Sequence, residues 1–84
     1  NNGLSIYPNP STGHFHLDIE NVALLGNLTL ELVDIKGQLI STQTVSFENG
    51  SNSFELDYSG VNRGTYFLRV SNGENSVYER VVLQ

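Results

Sequence analysis

Residues 5–20 read SIYPNPSTGHFHLDIE and hold both prolines of the chain, one residue apart. Directly after them comes strict alternation. Phe15, Leu17 and Ile19 share one side, while His14, His16, Asp18 and Glu20 share the other. A period of two marks a strand with one buried face. Pro8 and Pro10 lack the N–H that a ladder needs, and each pushes the preceding Tyr7 or Asn9 into extended backbone, so the strand LSIY (4–7) must end here. The following STG makes a turn closed by Gly13. The segment is therefore expected to act as a stiff, non-pairing corner. It should lead the chain out of a first edge strand and across to the opposite sheet, and blunt that edge against pairing with another molecule.

The same alternation continues outward from this stretch. NLTLELVDI (27–35) sets Leu28, Leu30 and Leu32 inward. QLISTQTVSF (38–47) is rich in Thr and Val with weaker alternation, as befits a strand near an edge. NSFELD (52–57) offers Phe54 and Leu56, and GTYFLRV (64–70) offers Tyr66, Leu68 and Val70. SVYERVVLQ (76–84) places Val77, Val81 and Leu83 on one face and Tyr78, Arg80 and Val82 on the other. No stretch of ten residues supports a helix. In DIKGQ (34–38), Gly37 sits where a tight turn needs positive φ, and ENGSN (48–52) and SNGEN (71–75) both carry Asn-Gly, a strong hairpin signal. About seven short strands at regular spacing predict an all-β, immunoglobulin-like antiparallel sandwich. A small closed barrel is the competing architecture.

Composition narrows the function. Eighty-four residues make one small domain with a modest core. With no cysteine, neither a disulfide nor a thiolate ligand or nucleophile is possible. Four basic against nine acidic residues give a net charge of −5, which repels nucleic acid and anionic lipid alike. No apolar run approaches the roughly 18–20 residues that span a bilayer as a helix. Asn1 does not open a charged-then-apolar leader, and residues 1–3 (NNG) read as a linker remnant, so 4–84 is expected to be a domain of a longer protein.

These blocks resemble a known family. LSIYPNPSTGHFHLDI is similar to the opening of the C-terminal sorting domain of the type IX (Por) secretion system, type A, of Bacteroidota. That opening has the core Tyr7, Pro8, Asn9 and Pro10, then a small-residue turn ending in Gly13. LELVDIKGQLI resembles its middle hairpin around Gly37, and LDYSGVNRGTYFLRVSNG its third block, with Gly64 and Tyr66. YERVVLQ resembles its closing strand, although that strand usually has lysine at two positions and here only Arg80 is basic. Tyr58 stands where the family more often has Leu.

The resemblance implies a non-catalytic signal that sends a cargo, fused on its N-terminal side, through the periplasm and outer membrane to the cell surface or medium. It implies a secretion translocon and a sortase-like peptidase as partners, with the cleavage site near or before Asn1. A folded sandwich can serve as an address because a receptor reads its shape and strand edges. The terminal strand, with Tyr78, Arg80, Val82, Leu83 and Gln84, is the expected contact, and the domain is expected to be monomeric. The alternative is an Ig-like adhesion or carbohydrate-binding module of a secreted enzyme, which needs two or three coplanar exposed aromatics. A third reading is a structural spacer.

Other chemistry reads as plain surface. His14 and His16 with Asp18 and Glu20 have His-x-His spacing, but without Cys or a third His an ordinary polar strand face is preferred to a metal site. Ser, His and Asp occur without a Gly-x-Ser-x-Gly elbow, and no cofactor is expected. Asp34 and Asp57 border turns and are assigned to turn stabilisation rather than calcium. Tyr66 has the position of a tyrosine corner, but core packing is preferred, and Phe67 lies on the opposite face. The sequons NLT (27–29) and NGS (49–51) carry little weight in an Asn- and Ser-rich chain. Replacing Pro8 and Pro10 together by Thr should lengthen the edge strand and promote self-association. An unchanged monomer fraction on size exclusion refutes that expectation.

Overall fold

The computed structural model describes residues 3–20, 24–47 and 52–84. Over these residues the chain forms β1 (Leu4–Tyr7), β2 (His14–Ile19), β3 (Gly26–Asp34), β4 (Leu39–Phe47), β5 (Ser53–Asp57), β6 (Gly64–Ser71) and β7 (Ser76–Leu83). They make two antiparallel sheets, ordered β1-β2-β5 and β4-β3-β6-β7. This is the Ig-like sandwich that the alternation predicts, with β4 on an edge as expected. Each residue assigned inward from period two lies in the core or against it. Phe15, Leu17 and Ile19 from one sheet meet Leu28, Leu30, Leu32, Leu68 and Val70 from the other, all essentially without solvent contact. Fully burying one such side chain contributes about 1.5–3 kcal/mol. With no disulfide, this double layer carries the stability.

Three turns show how local chemistry sets the strand ends. At β3–β4 the Gly37 N–H donates to the Asp34 carbonyl at 2.9 Å, while the Asp34 carboxylate accepts from the Lys36 and Gln38 N–H groups. At the end of β5 the Asp57 carboxylate accepts from the Ser59 N–H. Asp34 and Asp57 thus stabilise turns, as assigned. Asn72 does the same at β6–β7, accepting from Glu74 and Asn75. Residues 48–51 of ENGSN, with the second sequon, lie outside the described residues. The strands on either side, β4 and β5, belong to different sheets, so this segment does not join a hairpin.

One irregularity escapes period two. Leu32 lies opposite Ser41, but its neighbour Val33 lies opposite Leu39, so Ile40 is an extra residue in β4. Such a bulge re-aims the residues beyond it. Leu39 and Ile40 are exposed as a result, and Ile35 in the adjoining turn is 71% exposed.

Gly13 is fixed by space as well as by backbone angle. Its φ is +119°, and a Cβ there would stand 2.6 Å from the Ser59 Cα. That approach lets the Tyr58 N–H donate to the Gly13 carbonyl at 2.7 Å, tying the turn before β2 to the end of β5. Tyr58 itself is buried beside Phe15, ring centroids 5.8 Å apart. Its hydroxyl has no hydrogen-bond partner among the described residues, and burial pushes its pKa up. A leucine-sized apolar side chain would avoid that orphaned group. Gly13→Ala should destabilise the domain by about 2–3 kcal/mol through strain and backbone collision. A denaturation midpoint equal to wild type would show that the turn shifts freely.

Candidate functional site

The terminal strand and the proline corner form one unit. β7 pairs with β6 along its whole length, from Ser76 opposite Ser71 to Leu83 opposite Gly64. On its other edge the corner occupies the outward-pointing groups of residues 80–84. The Asn9 side-chain amide donates to the Arg80 carbonyl at 2.8 Å and accepts from the Val82 N–H at 3.0 Å. The Ser11 N–H then donates to the Val82 carbonyl at 2.9 Å, and the Gln84 N–H donates to the Ser11 carbonyl at 2.7 Å. A carboxamide turns an N–H donor and a C=O acceptor to the same side, as the N–H and C=O of one extended residue do. Asn9 and Ser11 together therefore imitate a strand running parallel to β7, and Ser11 and Leu83 form a parallel bridge.

This arrangement corrects two expectations. The corner does not lead the chain to the opposite sheet, because β2 follows β1 in the same one. It reaches the opposite sheet only in passing, and the edge it covers there belongs to β7. The proline logic holds for β1, which stops at Tyr7; both the Tyr7–Pro8 and Asn9–Pro10 peptide bonds are cis. Secondly, the last strand does not offer its outer edge from Arg80 to Gln84 for strand addition, because the chain's own corner fills it. Ser11 is buried, its hydroxyl donating to the His14 carbonyl and accepting from the Gly13 N–H, so the corner is held from below as well.

The side chains expected to make contact divide between two faces. Tyr78 and Arg80 are exposed on the outer face of the four-stranded sheet, with Val82 half-buried beside them. Leu83 points the other way and is 4% exposed within the core, which removes its side chain from any contact surface. Gln84 is exposed at the end, anchored through its N–H. Beneath this face Tyr66 is buried, and its hydroxyl donates to the Asn62 carbonyl at 2.6 Å. The tyrosine-corner bond is thus present together with the core packing expected for Tyr66. Gly64 opens β6 next to the Tyr66 ring.

The outer face of the three-stranded sheet is polar and satisfies itself. Tyr7 stacks on His16 with centroids 5.3 Å apart and donates its hydroxyl to Asp18 at 3.0 Å. That bond, to an anion, raises the Tyr7 pKa. Ser53 donates to the same carboxylate at 2.7 Å, and His14 stands 3.2 Å from Asp57. The Asp57 pKa is lowered, first by the Ser59 hydroxyl and N–H and then by His14. The two histidines are engaged with different partners, and no group of three His, Asp or Glu gathers among the described residues. The exposed aromatics Tyr7 and Tyr78 lie on opposite outer faces, so they do not form the planar platform of a glycan binder.

What these faces and edges define is a compact β-sandwich module whose first turn braces its last strand. A family model described as secretion system C-terminal sorting domain matches residues 5–84, and the chain belongs to that family, the sorting signals of type IX secretion. No curated protein matches the chain. Asn9→Ala removes both side-chain bonds to β7 and should cost about 1–2 kcal/mol, read by chemical denaturation, whereas Asn62→Ala should change little. Equal stability of wild type and Asn9→Ala would mean that the amide does not hold the strand.

Proposed function

We propose that this chain is a non-catalytic address that carries a cargo, fused on its N-terminal side, through the type IX translocon to the cell surface or medium. Residues 4–84 act as the signal and residues 1–3 as linker, with a sortase-like peptidase acting near or before Asn1. The domain works as a monomer and is read by protein–protein recognition. Membership of the sorting-domain family supports the role. The covered edge of β7 supports the mode of reading. Since Asn9 and Ser11 occupy that edge from Arg80 to Gln84, a receptor meets the strand through its outer face, at Tyr78, Arg80 and Val82. An aromatic and an arginine side by side are the residue types that dominate protein interfaces.

The structure also decides how to test this. Deleting RVVLQ (80–84) would remove Val81 and Leu83 from the core and unfold the sandwich, so lost export would report misfolding alone. Tyr78→Ser, Arg80→Ser and Val82→Ser together leave the core intact. In a host with the secretion system, a reporter fused to the wild-type chain should reach the medium, and the triple variant should lower its export by about tenfold or more, the loss of roughly 1.4 kcal/mol of recognition. Full export of the folded triple variant would count against the outer face of β7 as the signal.

A further inference from the structure

The two outer faces of the sandwich are built differently. On β1-β2-β5 the polar side chains bond one another. On β4-β3-β6-β7 an apolar row crosses the sheet. The register sets Leu39 beside Val33, Val33 beside Phe67, and Phe67 beside Arg80. Because Leu32, Leu68 and Val81 point into the core, their neighbours Val33, Phe67 and Arg80 point away from it. Val82 and Tyr78 flank Arg80 on the same side. Leu39 is 51% exposed and Tyr78 54%, with Ile35 and Ile40 at the rim. A solvated sheet face ordinarily presents polar side chains, and a contiguous exposed apolar patch marks an interaction surface.

Charge selects the partner. The net charge of −5 is unevenly spread. The three-stranded sheet carries Asp18, Glu55 and Asp57 and no Lys or Arg, whereas the four-stranded sheet carries Glu31, Asp34 and Glu79 with Arg69 and Arg80. Of these only Glu31, Arg69 and Arg80 alternate onto its outer face, with Lys36 in the β3–β4 turn at the rim. Arg69 is paired with Glu31 at 2.7 Å. Among the described residues, no carboxylate lies within ion-pairing distance of Arg80 or Lys36.

We propose that the outer face of the four-stranded sheet, from β7 across Phe67 and Val33 to the bulged β3–β4 hairpin, is a docking surface for a protein partner that presents carboxylates among apolar side chains. This rests on the sorting-signal reading and deepens it. The recognised surface extends beyond the terminal strand, and its partner is acidic. A second copy of the chain would set Arg80 and Lys36 against a face of the same sign, and an anionic membrane would meet the charge of the whole domain.

The test uses the reporter fusion in the same host. Val33→Ser with Leu39→Ser alters the face away from β7, Arg80→Glu inverts its charge, and Arg80→Lys restores it. The first two are expected to lower export about tenfold or more, with Arg80→Lys retaining most of it. Export of the double-serine and Arg80→Glu variants at the wild-type level overturns the docking face while leaving the sorting role intact. A wild-type fusion that is not exported overturns the sorting role itself. Should the serine pair fail to fold by thermal unfolding, the Arg80 series decides. A photo-crosslinker at position 39 adds the partner's identity. Attachment to Asp- or Glu-bearing peptides of another protein, lost in Arg80→Glu, supports the proposal. Attachment only to a second copy or to lipid overturns it.

Discussion

Four hydrogen bonds between the proline corner and the last strand hold the two sheets together along one side. Strands β1 and β7 lie in different sheets, and this seam adds hydrogen bonds to the core contacts that join those sheets. The chain solves this with an amide side chain and a single backbone residue. Proline suits the neighbouring positions because it asks for no donor bond there. Asn9 supplies what its proline neighbours withhold, since its side chain offers a donor and an acceptor at peptide spacing. The Tyr-Pro-Asn-Pro core is thus a piece of tertiary structure, and its role is visible only from the strand it braces.

The seam decides how a partner can approach. An edge strand with open N–H and C=O groups invites strand addition, to a receptor or to any other exposed edge. Covering residues 80–84 removes that option along this stretch of β7 and leaves its side chains as the exposed feature there. The outer face of the four-stranded sheet then gains weight, because the sheet behind it is rigid. Buried Leu30, Leu32, Leu68 and Val81 fix the backbone from which Val33, Phe67 and Arg80 project. Recognition by such a surface depends on an intact fold, which is why truncation and surface substitution have different meanings here.

Much of the fold was legible residue by residue. Phe15, Leu17 and Ile19 at every second position can be buried together only as a strand, and the same holds for Leu28, Leu30 and Leu32. Gly37 and Asp34 marked a tight turn through chemistry local to a few residues. The site was less legible. Leu83 stood among the expected contact residues although its own alternation set it inward with Val81. The exposure of Leu39 and Ile40 had no signal, because a bulge is defined by pairing with a partner strand, and QLISTQTVSF alternates too weakly to reveal a break in its own period.

By itself the sequence determined the strands, their inward faces, the turns at Gly37 and Gly73 and the ending of β1 at the prolines, since each depends on neighbours a few residues away. Only the tertiary structure decided that Asn9 and Ser11 complete β7 and that Gly13 must leave room for Ser59, whereas the Tyr66 bond to Asn62, four residues away, falls where the sequence allowed a tyrosine corner. The partners in the first two lie 46 or more positions apart, since 59 minus 13 is 46 and the Asn9–Val82 bond spans 73. No periodicity or turn rule encodes contacts at that separation. They follow from the pairing of β2 with β5 for Gly13, and for Asn9 and Ser11 from how the two sheets come to rest against one another.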